Sequence, residues 1–84
     1  QEKWFAFGGM AELNPNEIVF WHQEIARLAK SYGVTRLFTY GHHAQHTAQA
    51  FGSQGQHFAS KKELIEVLHQ DLTSDVVLLV KGSR

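Results

Sequence analysis

Apolar residues fall along this chain in short bursts, separated by stretches in which they recur every three or four positions. The first burst, "KWFAFGG" from Lys3 to Gly9, is aromatic-rich and ends in two glycines, as a buried strand with a tight exit does. "NPNEIVFWHQEIARLAKSYG" follows. Asn14 is placed to cap a helix with its side-chain oxygen. Pro15 then sits at the first helical position, where its missing N–H does no harm, and Glu17 stands three residues after the cap, as in a capping box. Ile18, Trp21, Ile25, Leu28 and Ala29 recur at helical spacing and form the expected buried stripe, with Gly33 the expected terminator. "VTRLFTYG" predicts a second strand over Val34 to Tyr40, because β-branched and aromatic side chains suit a pleated, half-buried surface.

The second half repeats this alternation. "HHAQHTAQAFG" predicts a helix ending at Gly52, and "QHFA" a short strand. "SKKELIEVLHQDL" opens with Ser60 and Glu63 in capping-box register and places Leu64, Ile65, Leu68 and Leu72 on one face. "DVVLLV" has no polar alternation, so it predicts a strand covered by helices on both sides. The order strand, helix, strand, helix, strand, helix, strand specifies an α/β fold. It is a βαβαβαβ arrangement with an open parallel sheet, helices on both faces and right-handed crossovers. No helical pattern follows Val80 and only two residues precede the first strand, so both ends read as cuts within a domain and residues 1–84 as a single partial domain.

Composition narrows the function classes. Eight Lys and Arg balance eight Asp and Glu, which argues against the basic stripe of a nucleic-acid-binding surface. The absence of cysteine removes disulfide and thiolate chemistry, and with no signal peptide it suits a reducing cytoplasm. No apolar stretch approaches the roughly 18 residues needed to span a membrane. A chain of 84 residues buries a modest core, so its stability is expected to be marginal without a partner surface.

In an open parallel sheet, ligands bind beyond the carboxyl ends of the strands. Three glycine-containing turns, "FGGMAELN", "TYGHH" and "VKGSR", follow strands and must share that rim. Any one of them is accounted for by the tightness of a turn; the three together mark the rim as the candidate site. Gly8 and Gly9 lack the spaced third glycine of a dinucleotide fingerprint, which excludes that cofactor here. Met10 and Leu13 read as packing residues. Glu12 either favours the following helix dipole or holds an amine or cation. Lys81 and Arg84 bring two positive charges to the last turn, with Gly82 allowing close approach and Ser83 offering a hydroxyl. That set suits a carboxylate or phosphate, and equally a solvated basic loop. Of the six histidines, His42 and His46 have the i, i+4 spacing of helical metal ligands, but no Asp, Glu or Cys stands beside them, so no metal site is expected. His22, beside Trp21, reads as a structural histidine, and His57 and His69 carry no pattern. Neither a serine–histidine–acid order nor a phosphate-cradling GxxxxGK sequence occurs.

Taken in order, "FAFGGMAELN", "HQEIARLAKSYGV", "RLFTYG", "HFASKKELIEVL" and "VVLLVKGSR" resemble the C-terminal domain of the Mur ligases over essentially the whole chain. That family commonly reads Gly-Asp-Met-x-Glu-Leu-Gly at the first turn and Val-Lys-Gly-Ser-Arg at the last. Gly9 replaces its usual aspartate, which bears on what the turn contacts, and Asn14 replaces its usual glycine while keeping a good helix cap. The resemblance implies a Rossmann-like, amino-substrate-binding domain of a three-domain, cytoplasmic, ATP-dependent amide ligase of peptidoglycan synthesis. "KGSR" favours the family member that adds D-alanyl-D-alanine to UDP-N-acetylmuramoyl-tripeptide through an acyl phosphate. The rivals are a Mur ligase with another amine substrate and a non-catalytic α/β binding module.

By the same resemblance, ATP and Mg2+ are bound mainly by a central domain, the intramolecular partner of this one, and neither by this segment. Lys81, Gly82, Ser83 and Arg84 match the family's last motif, which borders the dipeptide site. Gly8, Gly9, Met10, Glu12 and Leu13 match its first turn, and Gly41 and His42 the corresponding rim loop. None of these is expected to be catalytic, and the segment alone is expected to be inactive.

Overall fold

Strand and helix alternate as the pattern requires. The computed structural model describes residues 1–10 and 13–82. Its elements are β1 (Glu2–Phe7), α1 (Ile18–Ser31), β2 (Val34–Tyr40), α2 (Gln45–Phe51), β3 (Gly55–Phe58), α3 (Lys61–Asp71) and β4 (Val76–Lys81), with a 3-10 turn over Pro15–Glu17 before α1. The strands form one sheet in the order β3-β2-β1-β4, and every pairing is parallel. Parallel neighbours need crossovers, and the helices supply them. α1 and α2 carry the chain outward from β1 through β2 to β3 along one face. α3 returns across the other face and lays β4 against β1. The sheet is therefore a Rossmann-like α/β arrangement whose strand order reverses between β1 and β4.

The core has two halves, one on each face. Under α1 and α2, Ala26, Ala29, Ala48 and Phe51 pack on Val34 and Leu37. Under α3, Leu64 and Leu68 pack on Trp4, Ala6, Phe38 and Phe58. Val34 and Leu37 share a face despite being three apart because the β1–β2 register slips, with Lys3 opposite Val34 and Trp4 opposite Arg36.

The helix ends follow local chemistry. The Asn14 side-chain oxygen accepts the Asn16 N–H at 3.0 Å, and the Asn14 carbonyl accepts the Glu17 N–H at 2.8 Å. The cap therefore closes a 3-10 turn, and α1 proper begins at Ile18. Glu17 does not close a capping box; its carboxylate accepts from Trp21 Nε1 at 2.9 Å. At α3 the expected cap is present, with Ser60 Oγ accepting the Glu63 N–H at 3.2 Å.

Three expectations need correction. The buried side of α1 is His22, Ala26 and Ala29, with Ile18 and Ile25 half-buried, whereas Trp21 and Leu28 are exposed. α1 lies against both the sheet and α2, and such close approach selects small side chains at the contact. On α3, Leu64 and Leu68 are buried and Val67 half-buried, while Ile65 and Leu72 are exposed. Ile65 is turned about 100° from Leu64 around the helix, outside the narrow stripe that one short helix needs. Finally, β4 is an edge strand without helices on both sides. Val76 and Leu78 pack toward α3, but Val77, Leu79 and Val80 are exposed, Val80 to 71%. The topology explains this, since α1 and α2 serve the β1-to-β3 side of the sheet. An apolar groove of about 230 Å³ runs between α1 and β4, lined by Phe5, Ile25, Leu28, Ala29, Tyr32, Val34 and Leu79.

Candidate functional site

Parallel pairing brings the strand exits to one rim. Phe7 is opposite both Thr39 on β2 and Lys81 on β4, so the chain leaves all three strands at the same level. The exits then touch. The Gly8 N–H donates to the Lys81 carbonyl at 3.0 Å, joining the β1 and β4 exits. On the other side, a Cβ added to Gly41 would stand 3.1 Å from the Gly8 carbonyl oxygen, and Gly41 has φ 93°. Glycine is required here for the left-handed backbone and for the contact between the turns. Gly41→Ala is expected to cost about 1–2 kcal/mol, the usual penalty of a Cβ in the left-handed region. Gly82→Ala, with nothing within 4 Å of its added Cβ, should cost less than about 0.5 kcal/mol. Urea unfolding midpoints of the two variants check the contrast.

Between the β1 and β2 exits lies a cleft of about 330 Å³, lined by Gly8, Gly9, Met10, Tyr40, Gly41, His42 and His43. Met10, one of these lining residues, is tied to His22, a side chain that does not itself line the cleft. His22 is wholly buried. Its Nδ1 lies 2.7 Å from the Ile18 carbonyl oxygen, which can only accept, so Nδ1 carries the proton. Nε2 is then a bare acceptor, and it takes the Met10 N–H at 3.1 Å. Burial pushes the His22 pKa down, and nearby His43 and His46 add to that, against the opposing effect of the Ile18 carbonyl. The Thr47 hydroxyl donates to the His22 backbone carbonyl at 2.7 Å, tying α2 to the same point. Further along the rim, the buried Thr39 hydroxyl lies 2.7 Å from His57 Nδ1 on the neighbouring strand, and burial lowers the His57 pKa as well.

Of the residues expected at the site, Gly8, Gly9, Met10, Gly41 and His42 line this one cleft. Lys81 and Gly82 stand on the opposite side of the β1 exit, where the strand order reverses, and do not line it. Glu12, Ser83 and Arg84 lie outside the described residues. Tyr40 and His43 also line the cleft, and neither carries a signal in the sequence beyond lying within two residues of Gly41. His22 was readable as structural, but not its bond to Met10. Because α2 begins only at Gln45, His42 sits in the preceding turn and does not share a helix with His46. Among the described residues no three His, Cys, Asp or Glu side chains are grouped to hold a metal ion. No described helix is long and apolar enough to cross a membrane.

No protein-family model matches the chain. It is, however, 35% identical over 79 residues to the UDP-N-acetylmuramoyl-tripeptide–D-alanyl-D-alanine ligase of Buchnera aphidicola subsp. Acyrthosiphon pisum (strain APS), a match covering 92% of this chain and 17% of that protein. The chain thus spans about a sixth of its relative's length. The likeness runs across nearly all of these residues, on an all-parallel sheet whose strand exits meet at one rim, and is consistent with a segment of a Mur ligase C-terminal domain.

Proposed function

We propose that the chain is the C-terminal, amino-substrate-binding domain of a cytoplasmic ligase of peptidoglycan synthesis. In this reading the enzyme joins D-alanyl-D-alanine to UDP-N-acetylmuramoyl-tripeptide through an acyl phosphate. The observation that carries it is the 79-residue likeness to a ligase of that name. The convergence of three strand exits on one rim supports it, since open parallel sheets bind ligands there. The turns at Gly8–Met10 and Gly41–His42 form the walls of the site. Lys81, at the end of the strand paired with β1 and outside the cleft itself, acts with Arg84 to neutralise the dipeptide carboxylate. On this reading ATP and Mg2+ are held mainly by a central domain of the whole enzyme, in keeping with the lack of a GxxxxGK loop in this sequence. Their chemistry belongs to other parts of the enzyme.

The test uses the whole ligase. Lys81→Ala and Arg84→Ala are each expected to raise KM for D-alanyl-D-alanine about tenfold or more, as loss of a hydrogen bond to a charged group does. KM for ATP should stay within about twofold. Equal effects on both constants refute the assignment. The 84-residue chain by itself should release no phosphate from ATP in the presence of both other substrates. A single amino acid replacing the dipeptide as the preferred amine would move the chain to another Mur ligase.

A further inference from the structure

The first turn of the rim is held by a side chain from the helix that follows it. Gly9 has no side chain to anchor the turn and adopts φ 93°. Met10 is only partly buried. The described tie between this turn and α1 is the Met10 N–H bond to His22 Nε2, at 3.1 Å. The ring's other nitrogen is committed to the Ile18 carbonyl at 2.7 Å. Only the neutral imidazole leaves an acceptor lone pair facing Met10. We propose that His22 is a positioning residue for the amino-substrate site: its neutral ring sets the path of Gly8, Gly9 and Met10 along the cleft, and protonating it frees the turn. The consequence for substrate rests on the ligase reading above; the lock itself does not.

Burying a polar ring costs free energy unless both nitrogens are satisfied, and in His22 both are. Here one of the two nitrogens serves the backbone of the segment that lines the cleft. The ring lies between Phe7, centroids 5.8 Å apart, and the cleft residue His43, 6.2 Å apart. The titratable groups facing it are His43, in the turn before α2, and His46 on α2, while β1 presents the uncharged Phe7. A positive charge on either histidine opposes protonation of His22. A charged imidazolium donates from both nitrogens and would set donor against donor at Met10. The fold therefore favours the neutral ring. That preference is costless well above the ordinary imidazole pKa of about 6.5 and is progressively lost as pH falls through the lowered folded value. Affinity for the amine substrate should fall in the same window.

The experiment uses the whole protein. Long-range nitrogen–proton NMR of the histidine rings should show His22 as the Nδ1–H tautomer, titrating below the ordinary value; an Nε2–H ring, or titration at or above that value, overturns the lock. Backbone exchange at Met10 should be slow in the parent and fast in His22→Leu, and equally slow exchange in both overturns it too. In turnover, His22→Leu should raise KM for D-alanyl-D-alanine about tenfold, as an unsatisfied N–H does, and leave KM for ATP within about twofold. His22→Gln, whose amide oxygen can take the place of Nε2, should restore most of the affinity and abolish the rise in dipeptide KM at low pH. Parallel changes in both constants, or the same acid inflection in parent and His22→Gln, overturn the positioning role. Should His22→Leu fail to fold, the ring titration and the His22→Gln pH profile still decide. Should the parent enzyme not use the dipeptide, the ligase reading fails, while the tautomer and the Met10 exchange judge the lock independently.

Discussion

A Gly55→Ala variant is expected to lose roughly 3 kcal/mol of stability, at or beyond the upper end of ordinary overpacking. A Cβ built on Gly55 would lie 2.2 Å from the Ala48 carbonyl oxygen, 3.0 Å from its carbonyl carbon and 3.1 Å from Phe51 Cβ. None of these atoms is the far end of a flexible side chain. α2 lies directly on the first residue of β3, and only a backbone hydrogen fits between them. Relief requires lifting α2, which would also separate Ala48 and Phe51 from Leu37 and undo that half of the core. The turn carrying His42 and His43 leads straight into α2, so the cleft would deform with it. Chemical denaturation of parent and variant measures the loss. A midpoint unchanged within error would mean that helix and strand do not approach so closely.

Phe38→Ala should be at least as damaging, at about 3–5 kcal/mol, the range for emptying a buried phenylalanine site. Phe38 is completely buried in the centre of the sheet. Its ring lies 5.5 Å from Trp4 and 6.3 Å from Phe58, and the Arg36 guanidinium lies 4.7 Å from its centroid. These partners are themselves fixed by the strands around them, so the site cannot collapse to fill the space. Domains have only about 5–15 kcal/mol in total, and small ones sit low in that range. The variant is therefore expected to lose its cooperative thermal transition near 37 °C, as followed by circular dichroism. Phe20→Ala is the control, because Phe20 is 55% exposed, and it should shift the transition by only a few degrees. Similar melting of the two variants would contradict the core described above.

The two variants mark the limit of what residue patterns convey. Phe38 was readable as a strand residue in "VTRLFTYG", since its type and neighbours suit a sheet. The need for Gly55 was not, because the atoms that forbid a side chain there belong to α2 and come close only in the fold. The same holds for α1. The spacing of Ile18, Trp21, Ile25, Leu28 and Ala29 is a true helical stripe, yet burial follows His22, Ala26 and Ala29. Periodicity reports where apolar residues recur; it does not report which side a second helix will press against. The unbroken apolar run of β4 likewise signalled burial on both sides, whereas strand order put it at an edge.

At the site, the three glycine turns and their common rim followed from the sequence, because a parallel sheet sends every exit the same way. The division of the rim did not follow. The cleft opens between β1 and β2, while Lys81 and Gly82 leave on the far side of β1, and only strand order distinguishes these positions.

What the chain determined by itself was the type of each element, its approximate limits and the α/β class, since caps, glycine stops and run lengths depend on residues a few positions apart. What tertiary structure alone decided was which faces are covered, where a hydrogen rather than a methyl group fits, and that His22 grips Met10 twelve residues upstream. Those outcomes depend on distances between elements, and no local stretch of sequence contains them.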